Sequence, residues 1–255
     1  MRISDRERTI YRDQGFVGLD WRLEPAVVRQ MRTALEDWAR QSAPPGPHGI
    51  LKNNLWREAP WVADLIHAGE LAAVACELLS ETRVVLFQDN LVWKSPGATR
   101  IEWHQDYSYW PLDAPTGVTF WIALDDADVD NGCLHYIPGT HHLGECQPAA
   151  FVLGAAQPGC QGLPPLDWRK REREAVARPV VAGEAVAHHP LVWHMSPPNE
   201  SNRPRRALTL TWISAAVRWD PDHAPHPFNY RLDPRAGSRV EGELFPQFVF
   251  GDGGA

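Results

Sequence analysis

The chain has 255 residues, a formal net charge of −7 and 44% hydrophobic residues, enough for one domain with a large core. The acidic balance argues against nucleic acid or an anionic membrane as the main partner. The start of the chain lacks an apolar signal core, no apolar run reaches membrane-spanning length, and Cys76, Cys133, Cys146 and Cys160 show no C-x-x-C pairing. A cytoplasmic protein without disulfides or structural zinc is therefore expected.

Residues 4–13 read as a short charged helix behind a Ser or Asp cap, and 15–19 as a strand. Over 24–40, Val27, Val28, Met31, Leu35 and Trp38 recur at helical spacing, which predicts an amphipathic helix. The stretch 42–49 (SAPPGPHG) is a loop able to lie over a site. Two further helices are expected over 60–67 and 70–79. From residue 83 the texture changes to short runs rich in β-branched and aromatic residues: 83–94, 100–106, 117–124, 134–137, 178–181, 184–189 and 205–214. Turn sequences such as Asp130-Asn131-Gly132 and Pro138-Gly139 divide them.

Helices first and many short strands afterwards predict a mainly β protein with flanking α-helices, built on an antiparallel sandwich or jelly roll. One domain over 1–255 is expected, with a helical part to about residue 82 and a β core over 83–214. An insertion at 144–177 interrupts the core, and a tail from 215 to 255 carries little pattern. Within the insertion, 168–174 (WRKRERE) offers cations to an acidic substrate or, more simply, a solvated helix pairing Lys170 with Glu174.

His104-Gln105-Asp106 draws the eye for chemistry. If 101–106 is a strand, His104 and Asp106 project from one face. A second His from a distant strand would complete a 2-His-1-carboxylate triad, leaving three metal positions open. Alone, the tripeptide carries little weight, because a His near an Asp is usually a surface pair or a core histidine. His188, His189 and His194 compete for the distal position, while His135, His141 and His142 sit in a turn-like block. Arg205 and Arg206 each offer a planar fork for a carboxylate. In a strand, Arg205 shares a face with Ala207, Thr209 and Thr211, and Arg206 with Leu208, Leu210 and Trp212. Tyr107, Tyr109 and Trp110 suit a substrate wall or a buried aromatic cluster equally. No G-x-S-x-G elbow, P-loop or strand-linked G-x-G-x-x-G is present, so hydrolase, kinase and dinucleotide-binding readings lack support.

Longer blocks say more: 86–97 (LFQDNLVWKSPG), 103–111 (WHQDYSYWP), 118–126 (VTFWIALDD), 131–141 (NGCLHYIPGTH) and 189–199 (HPLVWHMSPPN), then Arg205-Arg206-Ala207-Leu208. Together they resemble the phytanoyl-CoA dioxygenase (PhyH) family from about residue 10 to 214. The resemblance implies a double-stranded β-helix (jelly-roll, cupin-like) core and a non-haem Fe(II)- and 2-oxoglutarate-dependent dioxygenase. It places iron on His104, Asp106 and His194, the far carboxylate of 2-oxoglutarate on Arg205, and Gln88 and Trp121 near the co-substrate. Ser196, Lys94 and Asn199 would each help polar positioning or serve as a structural turn or strand residue, and His189 falls outside the ligand set. A turn after His194 would set it and Arg205 on neighbouring strands.

The implied reaction consumes O2, releases succinate and CO2, and hydroxylates an unactivated C–H bond of a small-molecule metabolite. The intact Asp106, where related halogenases carry a small residue, favours hydroxylation over halogenation. A monomer or homodimer is expected. Two alternatives stand beside this reading: oxidative epimerisation or cyclisation at the same iron site, and a non-catalytic jelly-roll binding protein.

Overall fold

The computed structural model describes residues 2–40, 46–147 and 162–250. Helix α1 (Asp5–Gln14) starts behind Ser4, whose hydroxyl accepts from Glu7 N while Glu7 answers at Ser4 N, a reciprocal capping box. It ends at Gly15, where φ of +83° favours glycine. Strand β1 (Phe16–Arg22) follows, then α2 (Pro25–Arg40), β2 (Ile50–Asn53), α3 (Pro60–His67) and α4 (Glu70–Leu79). The β core comprises β3 (Arg83–Lys94), β4 (Ile101–His104), β5 (Gly117–Ala123), β6 (Leu134–Tyr136), β7 (Val176–Arg178), β8 (Glu184–His188), β9 (His194–Ser196) and β10 (Arg205–Ser214). A short helix α5 (Pro227–Leu232) and strand β11 (Gln247–Val249) follow.

These strands form two antiparallel sheets. The larger runs β1-β8-β5-β10-β3-β11, with β2 also on β3; the smaller runs β4-β9-β6-β7. This is the expected jelly roll. Leu208, Leu210 and Trp212 of β10 face outward into a core shared with α1–α4, and Arg205, Thr209 and Thr211 face the cavity between the sheets. The predicted register of that strand is therefore the observed one.

A bulge in β3 decides which of its residues reach the cavity. Thr211 pairs with Gln88 but Trp212 pairs with Leu86, so Phe87 is an extra residue. Val85 and Phe87 point inward before the bulge, and Gln88, Asn90 and Val92 point inward after it. Without that one-residue offset, Gln88 and Asn90 would face the helices.

Four expectations are corrected. Strand β4 stops at His104, because Asp106 has helical φ/ψ (−64°, −42°) and opens a 3-10 turn over Tyr107–Tyr109. Strand β7 lies at Val176–Arg178 instead of 178–181. Residues 168–174 form two 3-10 turns, not a helix, so their pairing is i,i+3: Lys170 with Asp167 at 2.7 Å and Arg171 with Glu174 at 2.6 Å. The tail is not featureless either, since Val217, Trp219, Phe228 and Phe245 pack around Phe87.

Residues 42–45 of the predicted loop and 148–161 of the insertion lie outside the described residues. Cys76, Cys133 and Cys146 are free and buried, and Cys160 also lies outside. Among the described residues, no helix is long and apolar enough to cross a membrane.

Candidate metal centre and its cavity

His104 ends β4 and His194 opens β9, and the two are directly paired across these strands, their rings 4.1 Å apart. Each ring is turned by its own backbone. His104 Nδ1–H donates to Glu102 O at 2.7 Å, and His194 Nδ1–H donates to Val192 O at 3.0 Å. A carbonyl can only accept, so both Nδ1 atoms carry the proton and both Nε2 lone pairs face the same point.

Asp106 reaches that point from the turn after β4, not by strand alternation. Its Oδ2 accepts from Thr119 Oγ1 at 3.0 Å and from His188 Nε2–H at 3.1 Å. His188 is set in turn by Tyr136, whose hydroxyl lies 3.1 Å from Nδ1. Oδ1 is left toward His194 Nε2 at 3.5 Å and His104 Nε2 at 3.8 Å. The donor atoms of His104, Asp106 and His194 all lie within 4.8 Å of one another. Such a donor set, with every other polar atom already engaged, suits a divalent first-row metal.

Two of the three charge states agree; burial opposes a proton on His194 but Asp106, 3.5 Å away, raises its pKa, so a metal bound there would displace a proton. Burial and the neighbouring His194 push His104 down to about 3, which keeps its lone pair available. Burial alone would raise the Asp106 carboxyl, but His194 and His188 draw it well below the usual range, so it stays ionised.

The second feature is a buried cation. Arg205, at the start of β10, is 0% exposed and has no carboxylate partner among the described residues. Its Nη2 donates to Ser196 Oγ at 3.0 Å and its guanidinium lies 5.2 Å over the Trp121 ring. Nε and Nη1 find no hydrogen-bond partner among the described residues. Ser196 is itself fixed, donating to Gly132 O at 2.8 Å and accepting from Lys94 Nζ at 3.0 Å. Unsatisfied guanidinium donors in a buried cavity fit a carboxylate. His194 and Arg205 are not on neighbouring strands as expected; β9 and β10 belong to opposite sheets and face each other across the cavity.

Arg206 points the other way. It forks onto Asp125 at 2.7 and 2.8 Å and reaches Glu36 at 2.7 Å, so its donors are spent outside the cavity. Asn199 bonds the carbonyls of Lys94 and Arg203, a structural tie.

The cavity between the sheets measures about 570 Å³. Tyr109 and Trp110 line it, although Trp110 is also packed against Phe87. Tyr107 does not line it: its ring is buried and its hydroxyl donates to Leu112 O at 2.9 Å, which corrects the substrate-wall expectation. His189, His141 and His142 cluster near α1, with His189 and His141 5.1 Å apart and neither on the cavity. None of residues 168–174 lines it.

Two features escaped sequence reasoning. His188 was read only as a rival ligand, yet it holds the Asp106 carboxylate. His226, from the tail, lines the cavity with Pro225 and Pro227 and bonds Gln88 at 3.1 Å. An H-x-D motif gives no sign of a third imidazole 82 residues later, and His226 sits in a stretch with no periodicity at all.

Comparison with known proteins agrees with the geometry. The phytanoyl-CoA dioxygenase (PhyH) profile matches residues 11–207. Phytanoyl-CoA dioxygenase domain-containing protein 1 of Bos taurus is 34% identical over 162 residues, covering 62% of this chain and 54% of the relative. The chain thus spans about half the length of that relative. L-proline trans-4-hydroxylase of Streptomyces griseoviridis is 28% identical over 232 residues, covering 79% of this chain and 83% of the relative. Among solved structures, the non-haem α-ketoglutarate-dependent carbocyclase SnoK from nogalamycin biosynthesis superposes with a TM-score of 0.77 at 24% identity, covering 97% of both chains. At that identity it supports the fold alone.

Proposed function

The chain belongs to the phytanoyl-CoA dioxygenase (PhyH) family of Fe(II)- and 2-oxoglutarate-dependent oxygenases, and from that premise we propose that it hydroxylates a C–H bond of a small molecule, releasing succinate and CO2. The observation that carries the reading is the convergence of His104 Nε2, His194 Nε2 and Asp106 Oδ1, each oriented by a hydrogen bond on its other polar atom. These three atoms would hold the ferrous ion, and Arg205 with Ser196 would hold the distal carboxylate of 2-oxoglutarate. Bound there, iron and 2-oxoglutarate supply the oxidising power, with O2 consumed and the co-substrate decarboxylated.

The chain's own groups do the rest. His188 and Thr119 keep Asp106 turned so that one oxygen faces the metal position. Trp121 forms the floor beneath Arg205. Lys94 and Gly132 hold the Ser196 hydroxyl where Arg205 can share it. The sheets bury these groups, Asp106 with its side chain 21% exposed, which strengthens each charge-assisted contact. Tyr109 and Trp110 provide aromatic surface for the substrate.

Succinate release across a panel of small molecules, with mass spectrometry of the product, tests the proposal. A gain of one oxygen supports hydroxylation. Turnover with no oxygen inserted assigns the site to oxidative cyclisation or epimerisation; the structural neighbour SnoK is a carbocyclase and the neighbour SnoN an epimerase.

A further inference from the structure

Outside the metal ligands and Arg205, the cavity lining carries amides, hydroxyls and imidazoles, His48 and His226 among them. Apart from Asp106 and Arg205, the lining contains no Asp, Glu, Lys or Arg among the described residues. Asp106 belongs to the metal and Arg205 to the co-substrate in the proposed function, on which this inference rests. Among the described residues, a charged group on the substrate would therefore meet no counter-ion on this wall.

The same wall has its hydrogen-bonding sense fixed. Register places Thr119, Thr211 and Gln88 on one line across β5, β10 and β3, and strands are ~4.8 Å apart, so Gln88 lies roughly 10 Å from the residue that touches Asp106. His226 Nδ1 accepts from Phe228 N at 3.2 Å, so its proton is on Nε2, and Nε2–H donates to Gln88 Oε1 at 3.1 Å. That bond assigns the Gln88 amide: its oxygen is held by His226 and its N–H groups are left for the cavity. Burial pushes His226 down to about 4, which keeps the ring neutral. One strand position along, Asn90 Nδ2 donates to Thr209 Oγ1 at 3.2 Å and leaves Oδ1 as an acceptor. Val92 and Ile101 supply apolar surface beside them.

We infer that the substrate is an uncharged, oxygen-bearing molecule of mixed polarity, such as a glycoside or hydroxylated polycycle. Its oxygens meet the Gln88 N–H groups and Asn90 Oδ1, and His226 is the positioning residue that sets the Gln88 amide. The wall discriminates against acids, amines and zwitterions because each would bring a charge that nothing there pairs.

The test is calorimetric binding to the full chain loaded with Ni(II) and 2-oxoglutarate. Two matched probe sets are used: an aryl glucoside with its glucuronide and glucosaminide, and a hydroxylated steroid with its carboxylate and amine counterparts. In at least one set the neutral member is expected to bind about tenfold or more tighter than both charged members, as one lost or unpaired polar contact implies. His226→Ala should weaken that neutral probe about tenfold while changing 2-oxoglutarate affinity less than about twofold, and His226→Gln, which keeps an N–H donor, should restore most of it.

Charged probes binding as tightly as neutral ones, or no neutral probe binding at all, overturns the substrate class. Equal loss of 2-oxoglutarate and probe affinity in His226→Ala overturns the positioning role. Titrating 2-oxoglutarate alone comes first: failure there removes the oxygenase reading, whereas success there with failure of the probes removes only this inference.

Discussion

Arg205 and Arg206 are adjacent, both buried and both cationic, yet their removal should have opposite consequences. Arg206 lies between Asp125 and Glu36, its side chain 6% exposed and that of Asp125 13%. Asp125 also pairs with Arg32 at 3.1 Å, which Arg206→Ala leaves in place. Truncating one member of a buried charge network costs about 3–5 kcal/mol. For a chain of this size, about 2–4 °C per kcal/mol makes that a fall of roughly 10 °C in Tm.

Arg205, by contrast, spends folding free energy in the absence of a ligand. Burial lowers its guanidinium from 12.5 to about 10, a solvation loss on the order of 3 kcal/mol at about 1.4 kcal/mol per unit. Arg205→Met removes that loss along with one bond to Ser196 and the stacking on Trp121, which the Met side chain partly replaces, so the ligand-free Tm should hold or rise. The same substitution deprives the 2-oxoglutarate carboxylate of its partner, which at about 3–5 kcal/mol weakens binding by roughly 150- to 4000-fold. The assays are thermal unfolding of ligand-free protein and calorimetric 2-oxoglutarate titration of both variants with Ni(II). A larger co-substrate defect in Arg206→Ala, or a Tm loss in Arg205→Met equal to that of Arg206→Ala, would refute the assignment.

Other consequences follow from particular contacts. Asp106→Ala should abolish iron-dependent succinate formation, and full activity in that variant would end its role as a ligand. His223 Nε2 lies 3.0 Å from Glu145 and Nδ1 lies 2.6 Å from Trp110 O, so both nitrogens donate and the ring is an imidazolium clipping the tail to the root of the insertion. Burial opposes the charge, but Glu145 and the Trp110 carbonyl raise the pKa overall. A raised cationic pKa gives stability that is complete below the unfolded value of ~6.5 and is lost as pH rises through the folded value. Tm of the natural chain relative to His223→Gln should therefore shrink as pH climbs from ~6.5 through the folded value; an unchanged difference would reject the latch. Gly132 has φ of +90°, and a Cβ there would come within 2.8 Å of Pro197 O. Gly132→Ala should cost about 1–3 kcal/mol in urea unfolding and weaken 2-oxoglutarate binding, because Gly132 O anchors Ser196.

The sequence made some of this legible and hid the rest for physical reasons. The helices α1 to α4 were readable because caps, Pro at the first turn and helical spacing of apolar residues are local signals. The inward face of β10 was readable because a strand alternates strictly, so choosing Arg205 fixed Thr209 and Thr211. Residues 104, 106 and 194 were singled out by family resemblance, not by spacing, and the strand argument for Asp106 proved wrong in detail. It reaches the same point as His104 through a 3-10 turn, which no alternation rule describes. The β3 bulge cannot be seen in its letters, since LFQDN reads as an unbroken strand. His188 and His226 matter through partners 82 and 138 residues away, and such pairings exist only once both sheets and the tail have closed.

The central claim is that three side chains converge on one ferrous ion, and an anaerobic Fe(II) titration followed by 2-oxoglutarate addition tests it most directly. One iron per chain should bind, a weak visible charge-transfer band should grow on adding 2-oxoglutarate, and His104→Ala and His194→Ala should each lose both signals. Iron held equally well by His194→Ala, or no band from the natural chain at saturation, would contradict the account.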